Sequence, residues 1–347
     1  MNVMKQSLPQ TNRIVDLDVI RGFALIGILL MNIDVFAGEA GVEVPSKDHV
    51  AVFVTGKFYA IFSLLFGAGA ALFLMRVKDK GQSYSIYIRR MVVLGLIGFL
   101  HSQIWDGDIL FQYAFVGLVL LALHRLPSKW LLTISANLHV LVMIVMNSNH
   151  FYDDKANIFY FIDILEKIMP MSIAPILVYV LVGFALMKMD IFTKLKKRPK
   201  LHRILLLSLS SISIIGVTLQ LLILKSVSAF NLFLFLLQPF LALTYILLIL
   251  ALLKTKIGNL ALRPLQNYGR MAMSNYLGQT VAGIFILPLF INQIQLTFSI
   301  VSFCVLTWIV QITLSNVWLK YFNFGPIEWI WRTLTYVKWI PIRKNNI

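Results

Sequence analysis

KLKKRPKLHR at 194–203, running straight into ILLLSLSSISIIGVTLQLLIL at 204–224, decides the fold class. Six of the first ten residues are Lys or Arg, and the run that follows carries no charge. A helix of about 20 such apolar residues crosses the ~30 Å hydrocarbon core of a bilayer. The basic margin marks the end where the helix starts as cytoplasmic, because Lys and Arg concentrate in cytoplasmic loops.

Working outward, 17–36, 50–75, 88–105, 108–124, 130–148, 171–188, 231–252, 270–291 and 296–319 join 203–224 as candidate spans. The third and fourth are separated only by Trp105-Asp106-Gly107-Asp108, a tight polar turn. The expected fold is therefore all-α, a polytopic transmembrane bundle of about ten helices. Residues 1–347 form a single integral membrane domain without internal repeats. The basic cytoplasmic loop 189–202 is the place where sub-bundles 1–188 and 203–347 would join.

Composition agrees. Hydrophobic residues make up 59% of the 347 and charged residues 13%, against roughly 25% in a soluble domain. A chain this apolar is not disordered, and its single cysteine, Cys304, forms no internal bridge. Net charge is +16, from 31 Lys and Arg against 15 Asp and Glu. The distribution explains it. The loops around 5–13, 76–90, 125–129, 188–203, 254–270 and 320–344 hold 25 of the 31, whereas Lys47, Lys155, Lys167 and Lys225 fall on the other side. Asp34, Glu39, Glu43, Asp48, Asp106, Asp108, Asp153, Asp154, Asp163 and Glu166 run the opposite way. Both termini are thus expected in the cytoplasm, and the charge records topology rather than nucleic-acid binding. Val35-Phe36-Ala37 looks like a cleavage site, but Arg21, Asn32 and Asp34 do not suit a signal peptide, so the first helix is read as retained.

Two segments are expected to lie on the membrane. Pro326, the i,i+4 pair Glu328–Arg332, and Trp329, Trp331, Tyr336 and Trp339 read as an interfacial C-terminal helix. Residues 156–168 place Ile158, Phe161, Ile162, Leu165 and Ile168 on one face.

Ionisable residues within spans mark candidate chemistry, because burying them is costly. Arg21 and Asn32 lie eleven residues apart, within about 20° on one helical face. Arg21 either pairs with Asp18, leaving Asn32 to bond a neighbouring helix, or serves a function. His101 near the outer third of its helix precedes Asp106 and Asp108; imidazole beside carboxylate equips a site for proton transfer. The alternative is a histidine bonded to a backbone carbonyl beside solvated aspartates. Lys57 either snorkels outward or pairs with Asp34, Asp106 or Asp108 across a polar cavity, with His49 at the same border. Asn267, Arg270, Ser274 and Gly278 form one stripe on the ninth helix, with Asn275 and Gln279 beside it and Thr280 following. That stripe is interhelical glue, or it lines a cytoplasmic cleft where Arg270 meets a phosphate. No spacing among the six histidines and Cys304 resembles a metal site, so no metal is expected.

Four stretches taken together carry a resemblance: DLDVIRGFAL (16–25) followed by Asn32; GKF (56–58) through FSLLFGAG (62–69); His101 through WDGDIL (105–110) with Tyr113; and GRMAMSNY (269–276) with GPIEWIWR (325–332). In this order they resemble the YeiB-like family of bacterial membrane proteins, over nearly the whole chain. The resemblance implies a multi-pass protein of the bacterial cytoplasmic membrane. Through Asp18, Arg21, Gly22, Ala24 and Asn32 the opening helix is also similar to the transmembrane acyltransferase superfamily, which includes heparan-glucosaminide acetyltransferase. That likeness implies acyl-CoA as a cytoplasmic donor and an extracytoplasmic acceptor, an envelope polysaccharide or a lipid, with a histidine assisting. The bacterial O-acyltransferase pattern has a histidine ten residues after the arginine, where this chain has Met31. His101 or His49 is then the candidate base, oriented by Asp106 or Asp108. Asn32 or Lys57 would stabilise an oxyanion, and Arg21 and Arg270, near Ser274 and Asn275, would hold the donor's phosphates. The rival classes are a transporter or channel and a non-catalytic assembly protein. Pro175, Pro239 and Pro288 show no matching pattern in two halves, which speaks against the first. The sequence leaves the oligomeric state open, a homodimer included.

Overall fold

The computed structural model describes residues 15–42, 52–151, 173–222, 227–291 and 296–344. Among them the architecture is all-α, with one isolated bridge between Phe322 and Arg343. In chain order the helices are α1 (Val15–Glu39), α2 (Lys57–Asp79), α3 (Ser85–Ser102), α4 (Leu110–Leu123), α5 (Ser128–Phe151), α6 (Ala174–Lys188), α7 (Ile191–Lys197), α8 (Pro199–Leu222) and α9 (Val227–Leu252). There follow α10 (Lys256–Arg270), α11 (Ala272–Val281), a π-helical turn at Ala282–Ile286, α12 (Leu287–Phe290), α13 (Leu296–Tyr321) and α14 (Pro326–Tyr336). The stretch at 156–168, and His49 with Asp48, lie outside the described residues.

Among the described residues, eight helical stretches are long and apolar enough to cross a membrane: Val15–Glu39, Val52–Asp79, Ser85–Ser102, Ser128–Val145, Pro199–Leu222, Phe235–Leu252, Ala272–Phe290 and Leu296–Tyr321. The protein is a polytopic helical membrane protein. The other two expected spans take different forms. α6 bends by 55° into the basic α7, and the two pass the length and hydropathy requirement for a span only together. α4 has only 14 residues, a rise of ~21 Å, short of a full crossing. Its apolar pattern extends further than its helix because Asp108 sets its start: Phe111 N–H donates to Asp108 Oδ2 at 2.9 Å.

Glycine permits the closest packing. A Cβ at Gly22 would collide with the Leu265 carbonyl oxygen, and one at Gly269 with that of Asp18, so α1 and α10 touch backbone to backbone. Gly67 and Gly183 do the same for α2 and α6 against Val180 and Leu64. Without a hydrophobic drive between helices in lipid, such contacts and interhelical hydrogen bonds hold a bundle together.

The basic loops gather at one end. Lys196 pairs with Asp16 at 2.7 Å, Lys188 Nζ donates to the carbonyls of His124 and Leu126, and Lys254 Nζ donates to that of Leu195. At the same end α14 docks on α3: Trp331 Nε1 donates to the Arg90 carbonyl at 2.8 Å, and the Arg90 guanidinium stacks 3.5 Å from the Trp331 ring. Glu328 does not pair with Arg332 as the i,i+4 spacing suggested. It turns inward to α11, and the Arg332 guanidinium lies over the Phe324 and Tyr336 rings.

Candidate functional site

The turn after α3 reverses the chain in four residues. Ile104 and Trp105 N–H donate back to the His101 carbonyl, and Asp108 N–H donates to Trp105. This folds Asp108 over the end of α3. Its Oδ1 lies 2.7 Å from His101 Nδ1, while Oδ2 caps α4. The other ring nitrogen, Nε2, lies 3.0 Å from Thr280 Oγ1 on α11, 179 residues away. All three side chains are enclosed, with relative exposures of 4% for His101, 4% for Asp108 and 1% for Thr280. A carboxylate only accepts, so Asp108 places the ring proton on Nδ1 and leaves Nε2 to accept from the threonine hydroxyl. The order hydroxyl, imidazole, carboxylate is that of an activated nucleophile with an oriented base.

An aromatic shell closes around the imidazole. Tyr276 and Trp105 meet it at ring-centroid distances of 5.3 and 5.9 Å, and Phe36 of α1 packs on Trp105 at 4.8 Å. Tyr276 O–H donates to the Gly107 carbonyl at 3.4 Å. The π turn begins two residues after Thr280. Pro288 has no N–H for the Ile284 carbonyl, and the Leu287 N–H reaches back to Ala282 instead.

The structure brings His101 and Asp108 together. Asp106, in the same turn, is exposed and does not reach His101. Asn32 is half-buried on α1, one turn before Phe36. Arg21 bonds Asp18 at 3.1 Å and keeps 27% of its side chain accessible, against 6% for Asp18. Arg21 precedes Phe36 by 15 residues, so it lies ~22 Å down the helix, towards the basic end.

The polar stripe of α11 is spent on neighbouring helices. Asn275 Nδ2 donates to the Tyr268 carbonyl and to Ser315 Oγ. Gln279 Nε2 donates to the Leu25 carbonyl and Tyr268 O–H to Gln311 Oε1. Ser274 Oγ donates to Glu328 Oε2 at 2.6 Å. Arg270 donates to Asn267 Oδ1 and the Asn323 carbonyl. Ser274 and Asn275 thus tie α11 to α14 and α13, and Arg270 bonds within α10 and to the segment after α13.

Lys57 does not pair with Asp34, Asp106 or Asp108. It is fully buried at the start of α2, and its ammonium has no hydrogen-bond partner among the described residues. Beside it, Gln238 Nε2 donates to the Gly56 carbonyl at 2.6 Å.

Two cavities lie away from His101. A lateral apolar crevice of about 880 Å³ runs between α5, α6 and α9 past Ala136, Val178 and Leu243. A polar pocket of about 250 Å³ at the basic end is lined by Asp16, Lys196, His202, Lys254 and Asn259. There burial lowers the Lys254 ammonium pKa, with Lys196 adding to the shift and Asp16 opposing it. No group of three or more His, Cys, Asp or Glu suited to a metal ion occurs among the described residues.

Thr280 is the site residue that sequence reasoning did not assign a role. It stood at the end of the polar stripe, but only tertiary packing pairs it with His101.

Comparison with known proteins adds the lineage. A family model described as "Protein of unknown function (DUF418)" matches residues 186–338. The chain is 32% identical over 359 residues to "Uncharacterized 39.9 kDa protein in amylase 3'region" of Bacillus acidopullulyticus, covering 95% of this chain and 96% of that protein. It is 29% identical over 400 residues to YxaH of Bacillus subtilis (96% and 97% covered) and 29% over 390 residues to YeiB of Escherichia coli (93% and 96%).

Proposed function

The chain belongs to the YeiB-like family, and from that premise and the buried dyad we propose that it is a membrane-embedded acyltransferase. It takes an acyl group from acyl-CoA at the basic, cytoplasmic face and delivers it to a hydroxyl or amine of an envelope polysaccharide or lipid on the far side. The observation that carries the reading is His101, with Asp108 on Nδ1 and a hydroxyl on Nε2. His101 is the general base, and Asp108 fixes the tautomer and stabilises the imidazolium. Asn32 lies on the helix that closes the aromatic shell and is the donor for the developing oxyanion. Arg21 and the basic loops attract the donor's phosphates. Both termini are cytoplasmic in this reading.

The ~22 Å between Arg21 and the level of Phe36 requires an extended donor arm that threads most of a span. Purified protein in lipid nanodiscs, given acyl-CoAs of graded chain length, should release free thiol, and His101→Ala should reduce that release at least 100-fold with its melting temperature held. Full activity in that variant defeats the reading.

A specific observation favours a second reading: both ring nitrogens and both Asp108 oxygens are occupied in an enclosed site. The triad is then a polar clamp joining α3, α4 and α11 in a non-catalytic assembly protein. In that case His101→Ala lowers stability and no acyl-CoA is consumed by the wild type.

A further inference from the structure

We infer that Thr280 is the acyl carrier of this protein: its hydroxyl takes the acyl group as an oxygen ester before the final acceptor receives it. This rests on the acyl-transfer reading and adds to it a covalent, two-stage mechanism.

Three observations point to Thr280. Its Oγ1 is 3.0 Å from His101 Nε2, the one ring nitrogen free to accept a proton once Nδ1 faces Asp108. A threonine within a helix ordinarily turns its hydroxyl back to the carbonyl four residues earlier; Thr280 reaches across to α3 instead. It also sits two residues before the π turn Ala282–Ile286, where the hydrogen-bond register of the helix changes.

The topology supplies the reason for a carrier. Donor and acceptor approach from opposite faces, and the triad between them is closed, with Thr280 only 1% exposed. Direct transfer would need both substrates in that enclosure at once. A carrier lets each arrive in turn.

The steps balance without further reactants. Thr280 Oγ attacks the thioester carbonyl while its proton passes to His101 Nε2. The C–S bond breaks, and the departing thiolate takes that proton to leave as free thiol. Thr280 now holds the acyl ester and His101 is neutral again. An acceptor hydroxyl gives its proton to His101 Nε2 and attacks the ester carbon. The bond from carbon to Thr280 Oγ breaks, and Oγ recovers the proton from His101. Asp108 accepts the Nδ1–H bond throughout and compensates the imidazolium in each half. A neutral threonine O–H is a weak nucleophile, which is why the mechanism needs the imidazole at hydrogen-bond distance.

The test uses the full-length protein in nanodiscs with acetyl-CoA and palmitoyl-CoA, no acceptor present, followed by acid quench and peptide mass spectrometry. The expected result is one acyl group on the peptide containing Thr280, stable to neutral hydroxylamine and removed by alkaline hydroxylamine, as an oxygen ester requires. Thr280→Ser should keep the adduct and at least a tenth of thiol release. Thr280→Val, which preserves shape, should lose the adduct and more than 99% of release. Serine controls for folding, since a purely packing role would be served better by valine. If, with envelope polysaccharide added as acceptor, Thr280→Val retains transfer while His101→Ala abolishes it, the carrier is refuted and direct transfer stands. An acyl group on any other residue also overturns the assignment. If the wild type forms no adduct and releases no thiol without acceptor, the carrier is refuted; if it also leaves the thioesters intact with envelope polysaccharide added, the acyl-transfer reading fails as well.

Discussion

Replacing Glu328 tests how the C-terminal helix fixes the site. Glu328 of α14 is half-buried against the start of α11. Its Oε1 accepts from Met273 N–H at 2.7 Å and Ser274 N–H at 3.1 Å, and its Oε2 accepts from Ser274 Oγ at 2.6 Å. The first N–H groups of a helix have no internal partner, so this carboxylate caps α11 from a distance of 54 residues. Glu328→Ala strands two backbone donors and a hydroxyl. Each buried unsatisfied group costs about 1–3 kcal/mol, and relief of the carboxylate's desolvation offsets part of the sum. A net loss of about 3 kcal/mol is expected, or roughly 6–12 °C in melting temperature at ~2–4 °C per kcal/mol. Scanning fluorimetry in one detergent, wild type beside variant, measures it. Burial pushes the Glu328 pKa above the usual carboxylate range, against the pull of its hydrogen bonds. The folded state therefore binds the proton more readily than the unfolded one. Its contribution to stability should rise as pH falls through the raised folded pKa toward the ordinary one, then level off. Glu328→Gln should remove this pH dependence while costing only about 1 kcal/mol. An unchanged melting temperature in Glu328→Ala, or wild type and Glu328→Gln showing the same acid response, would refute the capping argument.

Gly22→Ala and Gly269→Ala each place a methyl against a backbone carbonyl of the facing helix and should cost about 1–3 kcal/mol, read as lower melting temperature. Gly69→Ala meets open space in the same fold and should be neutral or slightly stabilising. Lys57→Met removes an enclosed ammonium without a hydrogen-bond partner and should raise stability by about 2 kcal/mol; a fall in melting temperature contradicts that account of Lys57. For orientation, Lys197→Cys in a Cys304→Ser background should react with a membrane-impermeant maleimide only after cells are opened; labelling of intact cells reverses the topology.

Hydropathy and charge made the bundle legible because both follow directly from the bilayer: apolar length sets a span, and Lys and Arg mark one end. They do not encode where a helix starts against its neighbours. The run at 108–124 is mostly apolar from Ile109 on, and α4 begins at Leu110, where Asp108 Oδ2 accepts the Phe111 N–H. The same limit applies to the site. His101 and a nearby carboxylate were visible from spacing, but Asp106 and Asp108 differ only in which way a tight turn presents them. One is solvated; the other is folded under α3. Arg270, Ser274 and Asn275 were legible as one polar face. Their partners, Asn323, Glu328 and Ser315, lie 40 to 54 residues on and are set by packing alone.

α11 is the element that joins the two ends of the molecule. At its start Glu328 holds it to α14, which Trp331 and Arg90 hold to α3. Near its end Thr280 meets His101, also on α3. The helix is thus pinned twice to the same partner, with Gln279 adding a tie to the Leu25 carbonyl on α1. Beyond the second pin regularity stops: Pro288 forces the π turn, and Gly283 in that turn lies so close to the Phe36 ring that a Cβ would not fit. Phe36 in turn covers Trp105, which covers the imidazole. The irregular turn, Phe36 and Trp105 thus stack in series over the imidazole, beyond the part of α11 that Glu328 and Thr280 fix.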